Sequence, residues 1–81
     1  MSQRAKLLQK IRNNPKGVSF DELDKVLQWY GFELRGVKGS HHAYRHRQSR
    51  TTLVVVRRRP SVHPDAVREV LAAIDELGDE E

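Results

Sequence analysis

Four residues, Ser19-Phe20-Asp21-Glu22, constrain this chain's fold more than any others. Their order is that of a capping box. The Ser19 hydroxyl takes the otherwise unpaired amide of Glu22, and the Glu22 carboxylate reaches back to the amide of Ser19. The helix that begins there lines up Phe20, Leu23, Val26, Leu27 and Tyr30 on one face. Gly31 supplies the left-handed conformation that ends it. A helix pinned at both ends sets the phase of whatever flanks it.

Upstream, residues 4–12 predict a shorter helix with Leu7, Leu8 and Ile11 as a narrow apolar stripe. Asn13-Asn14-Pro15 stops it, because proline lacks an amide hydrogen and disfavours helix in the residue before it. Lys16-Gly17-Val18 is a turn. Downstream, three strands are expected, over residues 32–37, 41–47 and 51–57. Phe32 and Leu34 alternate with Glu33 and Arg35 in the first. Lys38-Gly39-Ser40 and Gln48-Ser49 are the connections, and the β-branched Thr51, Thr52 and Val54-Val55-Val56 favour the third strand. Pro60 ends it. Pro64 suits the first turn of a last helix, whose apolar stripe is Val67, Val70, Leu71, Ile74 and Leu77, with Gly78 closing it. The expected fold is α+β, in the order α-α-β-β-β-α, with a three-stranded antiparallel meander and helices on one face.

A chain of 81 residues allows one domain, and such a chain buries only roughly two-thirds of its unfolded surface. We divide it into an N-terminal extension (1–18), a core (19–78) and an acidic tail (79–81). Without cysteine there is no disulfide, no thiolate ligand for zinc and no thiol nucleophile. The longest aliphatic run, Leu53-Val54-Val55-Val56, is far short of the ~20 residues that span a bilayer. The first residues also lack the apolar stretch of a secretory signal. A cytoplasmic protein without membrane attachment is expected.

The formal charge of +4 hides a strong segregation. Residues 35–59 carry Lys38 and seven arginines (35, 45, 47, 50, 57, 58 and 59) and no acid at all. Residues 60–81 set only Arg68 against seven acids. Such a basic middle points to a polyanion. The preference for arginine favours nucleic acid, since the planar guanidinium forks onto phosphate and stacks on bases.

Inside that middle lies His41-His42-Ala43-Tyr44-Arg45-His46. On a strand, His41 and His42 point to opposite faces, and His42 and His46 stand roughly 13 Å apart at ~3.3 Å per residue. No two of them share a metal ion without help from elsewhere, and no metal or cofactor is expected. Imidazole both accepts and donates a proton near neutral pH. A histidine beside phosphate-binding arginines can therefore draw the proton from an RNA 2′-hydroxyl, while the arginines offset charge building on phosphorus. Strand parity divides the group: His41, Ala43 and Arg45 share one face, and His42, Tyr44 and His46 share the other. Plain surface histidines remain the alternative from the residues alone. Tyr44 is either a base-stacking group or a core aromatic, Trp29, off the main stripe, packs against the N-terminal helix or meets a protein partner, and His63 is most simply a helix-start residue.

The stretch from Gly31 to His46 resembles the HicA family of toxins, small messenger-RNA interferases of toxin–antitoxin pairs. The similarity is densest in Lys38-Gly39-Ser40-His41-His42-Ala43-Tyr44-Arg45-His46, and the elements from Phe20 to Leu77 agree with the family in order and length. Arg57-Arg58-Arg59-Pro60-Ser61-Val62-His63 stands where family members often carry Pro-x-His or a glycine-rich turn. The resemblance implies a double-stranded-RNA-binding-domain-like α-β-β-β-α fold, here with one extra N-terminal helix. It also implies a toxin acting as a metal-independent endoribonuclease on messenger RNA, with His41 as the key catalytic group. RNA contacts are expected from Lys38, Gly39, Ser40, Arg45, Arg47, Arg57 and Arg58, with His42, Tyr44 and His46 as possible secondary residues. A HicB-like antitoxin is the expected protein partner. A non-catalytic RNA-binding module remains the alternative. A DNA-binding helix–turn–helix is disfavoured by the acids Asp21, Glu22 and Asp24 at the start of the second helix.

Overall fold

Ser19 does cap a helix. In a computed structural model that describes residues 3–77, its hydroxyl accepts from the Glu22 amide at 3.2 Å and its amide donates to the Glu22 carboxylate at 3.1 Å. The ammonium of Lys10, 2.9 Å from the same carboxylate, ties this cap to the preceding helix. That hydrogen bond, more than the one from the Ser19 amide, holds the Glu22 carboxyl below the usual carboxylate range.

The elements run α1 (Gln3–Asn13), a 3₁₀ turn (Pro15–Gly17), α2 (Phe20–Trp29), β1 (Phe32–Lys38), β2 (His41–His46), β3 (Thr52–Val56) and α3 (Pro64–Glu76). The fold is therefore α+β, with the predicted order and an antiparallel sheet in the sequential order β1-β2-β3. The expected closure at Gly78 and the acidic tail 79–81 lie outside the described residues.

One core joins all the layers. Leu8 and Ile11 of α1, Leu23, Val26 and Leu27 of α2, and Val67, Val70 and Ile74 of α3 pack with Phe32, Tyr44 and Val55 of the sheet. At ~1.5–3 kcal/mol per fully buried large apolar side chain, the α1 contribution is substantial. The first helix is thus built into the core. Arg12 reinforces it with a two-pronged contact to Asp75 of α3, at 2.6 and 3.3 Å, which holds the Asp75 carboxyl low. The loops before α2 and α3 are also joined, since the Val62 amide donates to the Val18 carbonyl at 2.8 Å and both side chains are buried.

The first strand departs from the expected alternation. Phe32 is buried, but Leu34 is 47% exposed and every later residue of β1 is exposed too. β1 is an edge strand, and the helices cover no more of it than Phe32. A bulge at Arg35 then shifts the register between Leu34 and Gly36. The extra residue turns Val37 onto the same face as His42, its cross-strand partner. No helix among the described residues is long and apolar enough to cross a membrane.

Candidate nucleic-acid interface

Antiparallel partners share a face of the sheet, so the register decides which side chains meet. On the face away from the helices, three rows cross the strands: Lys38–His41–Val56, Gly36–Ala43–Val54, and Glu33–Arg45–Thr52. The other face carries Phe32, Tyr44, His46 and Val55 into the core.

His41 is an exposed residue at the start of β2. Its direct partners put Lys38 on one side and Val56 on the other. Side chains paired this way start ~4.5–5.5 Å apart at Cβ, within reach of an ammonium and an imidazole for one phosphate. Among the described residues no hydrogen bond or ion pair holds the His41 ring, so both its nitrogens are open. The turn leading to it, Gly39-Ser40, needs Gly39 in the left-handed region (φ +60°). Nothing lies within 4 Å of where a Gly39 side chain would begin, so the backbone there is open to a ligand.

His42 faces the helix side. Its Nδ1 pairs with the Ser40 carbonyl at 3.1 Å, which makes that nitrogen the donor. The ring lies against Phe20 at 4.6 Å between centroids. Nε2 is the nitrogen left free by these contacts.

Two of the secondary candidates are core residues. Tyr44 is fully buried and its hydroxyl donates to Asp24 at 2.6 Å. Burial first, and then the Asp24 carboxylate, push its phenol above the ordinary range, so it stays protonated. His46 is 9% exposed, and its Nε2 donates to the Tyr30 carbonyl at 2.9 Å. Its Nδ1 accepts from the amides of Gln48 and Ser49 at 3.1 and 3.0 Å. These contacts assign the neutral Nε2–H tautomer and occupy both nitrogens. Neither ring is available to stack on or react with a substrate. The inward parity of β2, which carries Tyr44 and His46 under the helices, is the reason. Gly31 belongs to the same knot: at φ +92°, an added Cβ would sit 2.7 Å from His46 Nε2. His63 accepts the Asp65 amide at 3.1 Å as the cap of α3. Trp29 is half-buried against the core.

The basic side chains form two groups, one at each end of the sheet. Arg45 and Arg47 meet Arg35 and Arg50 around a small cavity of ≈ 220 Å³ that also includes Glu33. Glu33 pairs with Arg35 at 3.3 Å, leaving an excess of cations. Arg45 lies four residues from His41 on the same face, roughly 13 Å along the strand, which places it for a phosphate further along a bound strand. Arg57, Arg58 and Arg59 are all exposed at the other end, beside His41. The Arg57 amide donates to the Ser40 carbonyl at 2.7 Å, which fastens this basic run to the Gly39-Ser40 turn. Arg35, Arg50 and Arg59 were outside the sequence-derived set. Their places depend on the bulge, on a turn residue at φ +63° (Arg50) and on the path after β3, none of which has a distinctive sequence signal beyond the charge run itself.

Comparison with known proteins agrees with the resemblance in the strand segment. No curated protein and no solved structure matches the chain significantly. A family model described as the HicA toxin of bacterial toxin–antitoxin matches residues 20–76. The matched stretch begins inside the α2 capping box and ends with α3, so it contains the whole sheet and both helices that cover it. With most of its length accounted for in this way, the chain belongs to the HicA toxin family of bacterial toxin–antitoxin systems.

Proposed function

We propose that this toxin is a metal-independent endoribonuclease that cuts messenger RNA, with His41 as general base. One observation carries the reading. An exposed imidazole with both nitrogens open stands directly across from Lys38, on the sheet face that none of the described helices covers. In the step proposed, a His41 nitrogen takes the proton of a ribose 2′-hydroxyl. The 2′-oxygen then bonds to the adjacent phosphorus, and the bond from phosphorus to the 5′-oxygen breaks. The leaving oxygen takes a proton from an acid or from water. Lys38 offsets the charge on the phosphoryl oxygens, and the Gly39-Ser40 backbone and hydroxyl lie beside it. Arg45 and Arg47 hold phosphates further along the strand, and Arg57 and Arg58 do so on the other side. A HicB-type antitoxin silences the enzyme by covering this face, where Val54 and Val56 are 53% and 40% exposed beside Ala43.

The test is cleavage of a single-stranded RNA by pure protein, with and without a chelator, and by His41→Ala. Expected are 2′,3′-cyclic phosphate and 5′-hydroxyl ends, full activity with the chelator, and cleavage reduced about 10²–10⁴-fold in the folded variant. Activity that vanishes with the chelator and returns with a divalent ion would overturn the mechanism. Full activity in His41→Ala would move the base to His42, whose Nδ1 is already oriented by the Ser40 carbonyl. The second reading, a non-catalytic RNA-binding module, draws on the His41 ring having no orienting partner among the described residues. Under it, pure protein binds RNA and yields no cut ends.

A further inference from the structure

A second cavity lies at the end of the sheet where β2 begins, on the side of the strand opposite to His41. It has a volume of ≈ 510 Å³ and opens between Ser19, Phe20 and Asp21 at the start of α2 and residues 57–60 after β3. Pockets that enclose small ligands run ~300–1,000 Å³, so the space suits a single nucleotide. Phe20 forms an apolar surface within it, although the fold needs only part of that ring for the core: Phe20 is half-buried. Its ring touches His42, and the Arg57 guanidinium carbon sits 5.5 Å from its centroid. Among the described residues no acid pairs with Arg57, Arg58 or Arg59. Three consecutive arginines and one acid, Asp21, line the cavity, which leaves an excess of positive charge that a polyanion offsets.

We propose that this cavity is a nucleotide subsite for single-stranded RNA. The base of a nucleotide next to the cleaved bond stacks on Phe20, displacing the Arg57 head from the ring, and the flanking phosphates lie on Arg57, Arg58 and Arg59. The inference rests on the RNA reading above and adds where the strand runs. The subsite adjoins the turn that precedes His41, because the Arg57 amide is bonded to the Ser40 carbonyl and the His42 ring lies against Phe20, so a strand passing round this end of the sheet meets both. Asp21 is also part of the lining. Its carboxylate repels phosphate but accepts a hydrogen bond from an exocyclic amino group, which cytosine, adenine and guanine carry and uracil lacks. The same carboxylate and the aromatic surface argue against an acidic peptide, which would use the arginines alone. A duplex is excluded from stacking on Phe20, since its bases are already stacked on one another.

The experiment uses the full chain with His41→Ala, which keeps the RNA intact, and measures binding of labelled single-stranded RNA octamers by fluorescence anisotropy. Adding Phe20→Leu, which retains aliphatic packing, should weaken binding about 5- to 160-fold, the range for losing one stacked base. The same change should leave binding of an octamer of abasic nucleotides unaltered, since only phosphates remain to be held. Arg57→Gln should weaken both ligands and lower the salt dependence by about one phosphate contact. Should Phe20→Leu not fold, NMR of the unmodified Phe20 and His42 ring signals on adding the octamer gives the same information. If His41→Ala binds RNA while Phe20→Leu and the ring signals are unaffected, the subsite is wrong and the RNA reading stands. If His41→Ala binds no RNA but an acidic peptide occupies the arginines, both fail, and the cavity serves a protein partner.

Discussion

His41 and His46 occupy the two ends of one six-residue strand, and the same residue type serves opposite purposes there. At the His46 end every ring atom that can bond does so. The ring accepts two amides of the β2–β3 turn, donates to the end of α2, and meets Phe32 edge-on at 5.1 Å. Gly31 passes so close that no larger residue fits. At the His41 end the ring is exposed, and the neighbouring groups are a lysine, an open glycine turn and a run of arginines. The first arrangement is what burial demands of a polar group, since each orphaned bond costs about 1–3 kcal/mol. The second would be poor design for stability, because it collects like charges around an unheld side chain. The difference separates a histidine that the fold holds at both nitrogens from one that it leaves open, as the proposed RNA chemistry requires.

Substitution at the two ends should give opposite results. The largest effect expected is loss of RNA cleavage in His41→Ala, by about 10²–10⁴-fold, the usual contribution of a general base. Its melting transition should move little. His46→Ala should do the reverse, destabilising by about 2–4 kcal/mol in chemical denaturation through orphaned backbone groups and lost packing. Any protein that still folds should bind RNA. Equal stability losses at the two histidines would erase the distinction. Tyr44→Phe refines it, because it removes only the hydroxyl that bonds Asp24. A loss of about 1.5–3 kcal/mol is expected, with RNA affinity unchanged. An effect on RNA affinity would mean that the buried ring reaches the ligand after all.

The capping box offers the smallest and most local test. Ser19→Ala should cost about 1 kcal/mol of stability. Glu22 also sets a pH dependence, because its carboxyl is held low in the folded protein, chiefly by Lys10 and then by the Ser19 amide. The unfolded chain therefore takes up the proton first as pH falls. The stabilisation is complete above the ordinary carboxylate value near pH ~4.3 and is lost as pH drops through the lowered folded value. Glu22→Gln should flatten that part of the acid-unfolding curve without changing behaviour at the His41 end.

Local chemistry made much of this legible beforehand. Ser19 and Glu22 cap as expected because a capping box closes within four residues and needs no distant partner. Pro64 and the periodic valines gave α3 for the same reason. Leu34 was misjudged because alternation indicates a face, whereas burial requires something to cover it, and the helices stop at Phe32. Val18 and Val62 looked like loop residues. They are core because their two loops bond to each other across the molecule.

The site divides along the same line. Parity along β2 is a local property, so the separation of His41 from Tyr44 and His46 followed from spacing at two residues per repeat. The charge of residues 35–59 was likewise plain from composition. Which cations stand together was not, because pairing Lys38 with His41 needs the β1–β2 register, and gathering Arg35 with Arg45 and Arg50 needs a bulge and a positive-φ turn. The sequence by itself determined the order of elements, the family and which of the β2 histidines share a face, since capping, breakers and alternation act over a few residues. Only the tertiary structure decided that His46 is bonded at both nitrogens, and that Phe20 and Arg57 line one cavity. Those outcomes depend on contacts between segments distant in sequence, whose approach is set by packing rather than by local pattern.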